Sequence, residues 1–283
     1  MKGTLRMKNE VPADGLVINL HFTDVCNYHC KFCFARFGVT PLSLKDWKEI
    51  VNNIVRDTHV KRFNLAGGEP LAAPFVQELI DHIHSVGVDC SLITNGSLLT
   101  PQFIERNAGK LSMIGISVDG ITYEENLQLG RANAAGKTLS NERLAELAGT
   151  IHRVGTKLKI NTVVNALNHN DDFSALIGTL KPDRWKILRM IQIEDINDQT
   201  NLTVSNGEFE RFVARHEAFS PVVEDTEDII HAYVVINPYG QLVDNSDGQY
   251  RMSKSLIFSS FPTEFAKVGM DLARYQKRYQ AAA

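Results

Sequence analysis

The chain has 283 residues, of which 43% are hydrophobic and 22% charged, and its formal net charge at pH 7 is -3. This balance is typical of a soluble globular protein, and it argues against general binding of nucleic acids or anionic membranes while allowing a local basic pocket. The sequence contains no signal-peptide core and no apolar run long enough to span a bilayer. With four cysteines and no export signal, we expect a cytoplasmic protein.

Predicted strands and helices alternate along most of the chain. Apolar, β-branched runs predict six strands, at 15–22, 61–66, 88–94, 111–118, 156–164 and 184–193. Apolar residues at helical spacing predict helices between them, at 43–55, 75–86, 101–107, 141–154 and 171–180. Six such units predict an α/β fold, a partial (β/α)6 TIM-like barrel with an all-parallel sheet. Functional residues should then lie at the carboxyl ends of the strands.

The alternation stops after Asn197. A helix capped by Ser205, a strand at 231–236 and a returning strand at 241–243 follow. We therefore divide the chain into an N-terminal segment (1–14), the barrel (15–197) and a C-terminal extension (198–283) that packs on the open side and closes the active site. Residues 275–283 are predicted to be a frayed tail.

Three of the four cysteines, Cys26, Cys30 and Cys33, follow the first strand with the spacing C-x3-C-x2-C. Three thiolates on one loop can bind three irons of a cubane cluster and leave the fourth iron open for chemistry. The alternative is a zinc knuckle completed by His29 or Cys90. Cys90 is predicted to be a buried core thiol.

The second strand ends in Gly67, Gly68, Glu69 and Pro70. Two glycines allow a close backbone approach to a ligand, and the carboxylate can accept hydrogen bonds from an ammonium group. By itself this motif could equally be a strand-to-helix turn.

Basic side chains on two later strands form a second group. Period-two alternation places Lys159 and Asn161 on one face of the fifth strand, and Arg184 and Lys186 on one face of the sixth. Because apolar helices cover the outside of such a barrel, these faces should point inward, where two lysines are costly without an anion. A triphosphate is the natural anion, with Arg62 and Asn64 as possible further contacts. The alternative is that the lysines extend to solvent from the strand ends.

The cysteine spacing followed by GG-E-P is similar to the radical S-adenosylmethionine (SAM) superfamily, and further motifs resemble its viperin family. These motifs are Asn19-x-His21-Phe22-Thr23, Cys26-Asn27-Tyr28-x-Cys30-x-Phe32-Cys33-Phe34, Thr94-Asn95-Gly96-Ser97, Ile116-Ser117-x-Asp119, Gly130-Arg131, Lys159-Ile160-Asn161, Arg184-Trp185-Lys186 and Tyr233. The likeness covers nearly the whole chain from Val17 onward.

The resemblance implies a [4Fe-4S] cluster on the three cysteines and SAM as cofactor. It implies SAM contacts from Phe32, Gly67, Gly68, Glu69, Asn95, Ser117 and Arg131. Glu69 would bind the SAM amine and Arg131 its carboxylate. Reductive cleavage of SAM would yield a 5′-deoxyadenosyl radical that abstracts the ribose 4′ hydrogen of a nucleoside triphosphate. Loss of the 3′ hydroxyl as water, with one further electron and a proton, would give a 3′-deoxy-3′,4′-didehydro nucleotide for antiviral (phage) defence.

The resemblance also implies substrate contacts. Asn19 and Asn161 should contact the nucleotide, and Tyr233 should lie over it as a positioning group or as a proton or hydrogen donor. The alternative for Tyr233 is a core tyrosine of the C-terminal hairpin. The base preference is open, with CTP first and UTP or GTP next, because the segments expected to line the base pocket, 193–203 and beyond Pro238, match least.

Some features depart from the family pattern. Ala66 stands where animal viperins carry serine, which removes one possible phosphate hydrogen bond. The membrane helix and the tryptophan-ending tail of those proteins have no counterpart in the sequence, which implies a soluble protein and leaves the cluster-assembly partner open. We expect a monomer that receives electrons from a flavodoxin- or ferredoxin-type donor.

Two other functions remain as alternatives. A peptide-modifying radical SAM enzyme with auxiliary clusters would need further cysteines, and none follows Cys90. A zinc- or cluster-binding protein without turnover would need neither the GG-E-P turn nor the inward lysines.

Overall fold

A computed structural model of the chain describes residues 11–197, 201–245 and 249–280. Most of the predicted N-terminal segment 1–14, part of the predicted base-lining segment 193–203, the first residues after the predicted boundary at Asn197 and the last three residues of the predicted tail lie outside these ranges. The domain boundaries therefore stay predictions.

Ten strands form one sheet in the described part of the chain, in the order β10-β9-β8-β1-β2-β3-β4-β5-β6-β7. The strands are β1 (Leu16–His21), β2 (Val60–Ala66), β3 (Asp89–Thr94), β4 (Met113–Ser117), β5 (Lys157–Val164), β6 (Arg184–Arg189), β7 (Val222–Glu224), β8 (Val234–Ile236), β9 (Gln241–Asp244) and β10 (Arg251–Ser255). From β1 to β7 every neighbouring pair is parallel. The predicted α/β barrel with a parallel sheet is confirmed.

The C-terminal part of the chain enlarges this sheet at both ends, which the sequence did not predict for β7 and β10. β7 pairs in parallel with β6, and β8 pairs in parallel with β1. β9 and β10 continue the β8 side as antiparallel strands. The prediction that the sixth strand runs to 193 is wrong, because β6 ends at Arg189 and the chain continues without regular structure to Ile193.

Ten α-helices accompany the strands in the described ranges. They are α1 (Leu44–Asp57), α2 (Val76–Ser85), α3 (Pro101–Arg106), α4 (Tyr123–Leu129), α5 (Asn141–Arg153), α6 (Ser174–Leu180), α7 (Asn206–Arg215), α8 (Thr226–Ile229), α9 (Phe261–Phe265) and α10 (Leu272–Gln280). As predicted, the hydroxyls of Ser43 and Ser205 cap α1 and α7, and each accepts a hydrogen bond from a backbone N–H in the first turn. No helix in these ranges is long and apolar enough to cross a membrane.

The prediction of a frayed tail from 275 is wrong. Tyr275 belongs to α10 and is 1% exposed, and its hydroxyl lies 2.5 Å from the backbone nitrogen of Val17, from which it accepts a hydrogen bond. Arg278, one turn later, is also buried. The helix is held because it contributes a buried aromatic ring and two polar anchors, which an exposed terminus lacks.

The two faces of the parallel sheet differ in chemistry. Leu158, Ile160 and Trp185 point outward into one continuous apolar core with α5 and α6, and Cys90 lies in the same core, as predicted. The alternate residues of the same strands, such as Lys159, line the inside. Alternation therefore directs the polar side chains to the barrel interior.

Candidate active site

A cavity opens at the carboxyl edge of the parallel strands, where the fold predicts functional residues. The predicted site residues that line it are Asn19, Cys26, Cys30, Phe32, Cys33, Asn64, Gly67, Gly68, Asn95, Ser117, Arg131, Lys159, Asn161, Lys186 and Tyr233. The structure thus brings fifteen of the eighteen predicted residues to one cavity. Glu69, Arg62 and Arg184 do not line it.

The cysteine loop packs directly on the glycine turn that follows β2. Gly68 N donates to Thr23 O at 2.7 Å, and Glu69 N donates to Val25 O at 2.8 Å. A Cβ on Gly67 would lie 2.4 Å from Thr23 O, and one on Gly68 would lie 2.3 Å from Val25 O. These glycines therefore allow a close approach to the cysteine loop, and their predicted contact with SAM stays a prediction.

The turn after α4 holds the same loop from another direction. Gly130 has a φ of +76°, and a Cβ there would lie 2.3 Å from His29 O. His29 N donates to Gly130 O, and Lys31 N donates to Leu129 O. Two glycine turns that are distant in sequence thus fix the backbone that carries the cysteines.

Side chains at the end of β3 add a third attachment. Asn95 Nδ2 donates to Asn27 Oδ1 at 2.9 Å, and Asn27 Nδ2 donates to Ser97 Oγ at 2.8 Å. The carboxylate of Glu69 is fully buried and accepts hydrogen bonds from Thr94 Oγ1, Asn95 N and Leu71 N. In this arrangement Glu69 ties the ends of β2 and β3 together, and its predicted contact with the SAM amine stays a prediction.

Arg131 connects the cysteine loop to the end of β4. Its guanidinium pairs with Asp119 at 2.9 Å, donates to Ser117 O at 2.5 Å and lies 3.6 Å from Cys30 Sγ. Burial raises the pKa of the Cys30 thiol to about 11, an effect that the guanidinium opposes. Arg131 therefore places a fixed positive charge next to one of the three thiols, and Asp119 is a site residue to which the sequence analysis gave no role.

Cationic side chains on β5 and β6 line the same cavity. Lys186 is 4% exposed, so it does not extend to solvent. Burial and the nearby guanidinium groups of Arg184, Arg278 and Arg62 lower the pKa of Lys159 to about 7. Several cations share a largely dehydrated space, an arrangement that favours binding of an anion with several charges.

One buried carboxylate, Glu224 at the end of β7, partly balances these cations. It forms ion pairs with Lys186 and with Arg278 of α10, and it accepts a hydrogen bond of 2.7 Å from the Tyr233 hydroxyl. Sequence reasoning missed Glu224 because its strand has only three residues, and missed Arg278 because the tail was predicted to fray. Tyr233 lines the cavity, so the alternative of a core tyrosine is not favoured.

A chain of side-chain hydrogen bonds runs across β3, β2, β1 and β8. Ser91 Oγ donates to Asn64 Oδ1, Asn64 Nδ2 donates to Asn19 Oδ1, and Asn19 Nδ2 donates to Val234 O. The buried oxygen of Asn161 has no hydrogen-bond partner. Since burying a polar atom without a partner is costly, this oxygen is available to a ligand.

Arg62 and Arg184 lie towards the amino ends of β2 and β6, away from the carboxyl edge where the cavity opens. Arg62 forms a 3.7 Å ion pair with Asp89. Both arginines still act on the cavity electrostatically, because they contribute to the lowered pKa of Lys159. Their predicted direct contacts with substrate stay predictions.

The donor set fits a cluster and SAM. Three free thiols, Cys26, Cys30 and Cys33, line the cavity together with the half-buried or buried polar groups of Asn95, Ser117 and Arg131. A buried ring nitrogen of His21 that has no hydrogen-bond partner also borders it. Within the described ranges, no three His, Cys, Asp or Glu side chains converge as around a single metal ion. The three cysteines would hold the cluster, and the neighbouring side chains of Asn95, Ser117 and Arg131 would hold SAM.

Comparison with known proteins defines the class. The sequence profile of the radical SAM superfamily matches residues 20–180. The solved structure of Streptococcus suis SuiB bound to its precursor peptide SuiA superposes with a TM-score of 0.67 at 16% identity, over 92% of this chain and 65% of that one. The enzyme anSMEcpe with bound AdoMet gives 0.67 at 13% identity, over 93% and 79% of the two chains. These likenesses show the fold, and the barrel with its cysteine loop is that of a radical SAM enzyme, whose characteristic cofactors are SAM and a [4Fe-4S] cluster.

Sequence relatives identify the family within this class. An S-adenosylmethionine-dependent nucleotide dehydratase of Selenomonas ruminantium is 34% identical over 93% of this chain and 98% of its own length. Proteins of the same name from Flammeovirga pacifica and Danio rerio are 30% and 27% identical, over 92% and 85% of this chain. The chain belongs to the viperin family of SAM-dependent nucleotide dehydratases.

Proposed function

We propose that the protein converts a nucleoside triphosphate to its 3′-deoxy-3′,4′-didehydro analogue, with CTP as first choice and UTP or GTP next. One observation carries this proposal: the cavity that holds the three cysteines also holds Lys159 and Lys186, with Arg184 and Arg278 close behind. A radical cofactor and a polyanionic substrate can therefore be accommodated side by side.

When bound, the cluster and SAM supply the 5′-deoxyadenosyl radical that removes the ribose 4′ hydrogen. The residues of the chain orient the substrate for that step. Lys159 and Lys186 would bind the triphosphate, and the free oxygen of Asn161 would accept a hydrogen bond from the nucleotide. Tyr233 would border the ribose, opposite the cysteine loop. The enclosing strands exclude water, which would otherwise weaken these charged contacts.

The proposal extends to the electron donor, the oligomeric state and the cellular location. The one-electron chemistry calls for a reduced donor, and a flavodoxin or ferredoxin supplies electrons of the required kind. We further propose a monomeric, cytoplasmic enzyme whose product serves antiviral defence.

Turnover with different nucleotides tests the proposal. Protein reconstituted anaerobically with iron and sulfide is incubated with SAM, dithionite and, separately, CTP, UTP, GTP or ATP. We expect 5′-deoxyadenosine to rise with at least one nucleotide, together with a product lighter by one water. A colourless protein that retains zinc, or reconstituted protein that gives neither product with any nucleotide, would refute the proposal. The variant Lys186→Ala should weaken triphosphate binding more than SAM binding, since equal losses would contradict its assigned role.

A further inference from the structure

Three buried charged side chains, Lys186, Glu224 and Arg278, and the half-buried Tyr233 form a network between β6, β7 and helix α10. The carboxylate of Glu224 on β7 contacts Lys186 of β6 through Oε1 and contacts both Tyr233 and Arg278 through Oε2. The Tyr233 hydroxyl also accepts a hydrogen bond of 2.7 Å from Lys186 Nζ. One carboxylate is therefore the meeting point of two cations and a phenol.

The members of this network divide into two pairs. Lys186 and Tyr233 line the cavity, whereas Glu224 and Arg278 do not. Glu224 is 4% and Arg278 is 9% exposed. Glu224 and Arg278 therefore lie behind the two groups that face the cavity, and contact them directly.

Arg278 fixes the plane of the Tyr233 ring. Its guanidinium carbon lies 3.3 Å from the ring centroid, the geometry of a stacked cation–π contact. The same guanidinium donates to the backbone oxygens of Asp228 and Ala232, so it cannot turn freely. Only a planar guanidinium group can stack on the ring and donate these hydrogen bonds at the same time, so a lysine could not replace Arg278.

The helix that carries Arg278 also contacts a second strand of the barrel. The Tyr275 hydroxyl accepts a hydrogen bond from Val17 N in β1, while Arg278 pairs with Glu224 in β7. β1 and β7 lie six strands apart in the order of the sheet, yet α10 contacts both through residues one helical turn apart. Helix α10 thus joins these two strands beside Tyr233.

We propose that Glu224 and Arg278 are positioning residues, which hold the Tyr233 hydroxyl and the Lys186 ammonium in register with the substrate ribose and phosphates. The inference rests on the proposed nucleotide dehydratase function. It predicts that loss of either residue lowers the amount of dehydrated nucleotide formed per 5′-deoxyadenosine more than it weakens SAM binding. The reason is that a small displacement of a group that orients the reacting atoms costs up to about 100-fold in rate.

The test uses reconstituted enzyme carrying Glu224→Gln, which keeps the side-chain shape and removes the charge, and Arg278→Lys, which keeps the charge and removes the planar stack. For each variant the dehydrated nucleotide formed per 5′-deoxyadenosine is measured, along with KM for SAM and for the nucleotide. We expect the product ratio to fall about tenfold or more while KM for SAM stays within about twofold.

A double-mutant cycle separates positioning from a general structural role. If Glu224 acts through Tyr233, Glu224→Gln should add little further loss in a Tyr233→Phe background. The matched control is Glu264→Gln, which removes another buried carboxylate that pairs with Lys267 outside the cavity and should leave the product ratio unchanged.

Two results would overturn the inference: additive losses in the cycle, or a product ratio unchanged from that of the parent enzyme in both single variants. Turnover by the parent enzyme, measured first in the same assay, tests the proposed function separately. Iron content and thermal unfolding of each variant verify that the cluster loop and the fold are intact.

Discussion

At the scale of single residues, Lys159 shows how the cavity is prepared for an anion. It lies on the inward face of β5, where burial and three neighbouring guanidinium groups lower its pKa to about 7. The ligand-free protein therefore holds the Lys159 proton less tightly than an exposed lysine would. A bound triphosphate would favour the charged form, because the anion would offset both the burial and the repulsion.

We predict that triphosphate binding weakens as pH rises above 7. The free protein loses the Lys159 proton in that range, so binding must take one up, and Kd for CTP should rise about tenfold between pH 7 and 8.5. Calorimetry in buffers of different ionisation enthalpy should record net proton uptake on binding at pH 8.

Two variants decide whether Lys159 is the source of this dependence. Lys159→Gln should weaken binding and flatten the profile between pH 7 and 8.5. Lys157→Gln alters the exposed lysine two residues earlier on the same strand and should leave the profile as it is. A flat profile in the unaltered protein would contradict the prediction.

At the scale of elements, the cysteine loop is shaped by turns that are remote in sequence. The ends of β2 and β3 and the turn after α4 all contact it through short backbone or amide hydrogen bonds. A loop of this length has few internal contacts of its own. Its conformation is therefore set by the packing of neighbouring βα units, and small residues at the contacts are required for that packing.

We predict that Gly68→Ala prevents stable cluster assembly. The added methyl group would lie 2.3 Å from Val25 O, so the loop must move, at a cost of about 1–3 kcal/mol. Iron per chain and the visible absorbance after anaerobic reconstitution should both fall to less than about half of the parent values.

The matched control for this substitution is Gly149→Ala. Gly149 lies in α5, and a Cβ there would meet no atom within 4 Å. Alanine at an exposed helical position should stabilise the protein by about 0.5–1 kcal/mol and leave the iron content unchanged. Full iron loading of Gly68→Ala would show that the loop tolerates displacement.

At the scale of the whole molecule, the charge is unevenly distributed. The net charge is -3, yet Lys159, Lys186, Arg184 and Arg278 lie together in or behind one cavity, with Glu224 among them. The protein therefore offers cationic groups to a ligand small enough to enter the barrel. Long polyanions such as RNA bind to exposed positive charge, and these enclosed cations do not provide such a surface.

We predict that the protein binds nucleoside triphosphates but no single-stranded RNA. Fluorescence anisotropy of a labelled oligonucleotide at low ionic strength should show no binding up to about 10 µM protein. Calorimetric titration of CTP under the same conditions should show saturable binding. Salt-sensitive binding of the oligonucleotide would contradict this prediction and indicate a basic surface.

The comparison of sequence and structure is clearest in the C-terminal part of the chain. A strand at 231–236, an Asn-Pro-Tyr-Gly turn and a returning strand were predicted, and the structure confirms this hairpin, although β8 begins only at Val234. Glu224 was missed because a strand of three residues is too short to show a period, and Arg278 because the tail was predicted to fray. Their positions become apparent only when β7 pairs with β6 and α10 packs between distant strands.

The sequence by itself determined the parallel barrel and the class of cofactor, because strand–helix periodicity and the spacing of three cysteines are local properties of the chain. It also placed Lys159 and Lys186 on inward faces, since period two is fixed by strand geometry. Only the tertiary structure decided what each group contacts. It assigned Gly67 and Gly68 to the packing of the cysteine loop, Glu69 to the link between two strands, and Glu224 to Lys186 and Tyr233. Such contacts join residues far apart in the chain, and no local pattern specifies them.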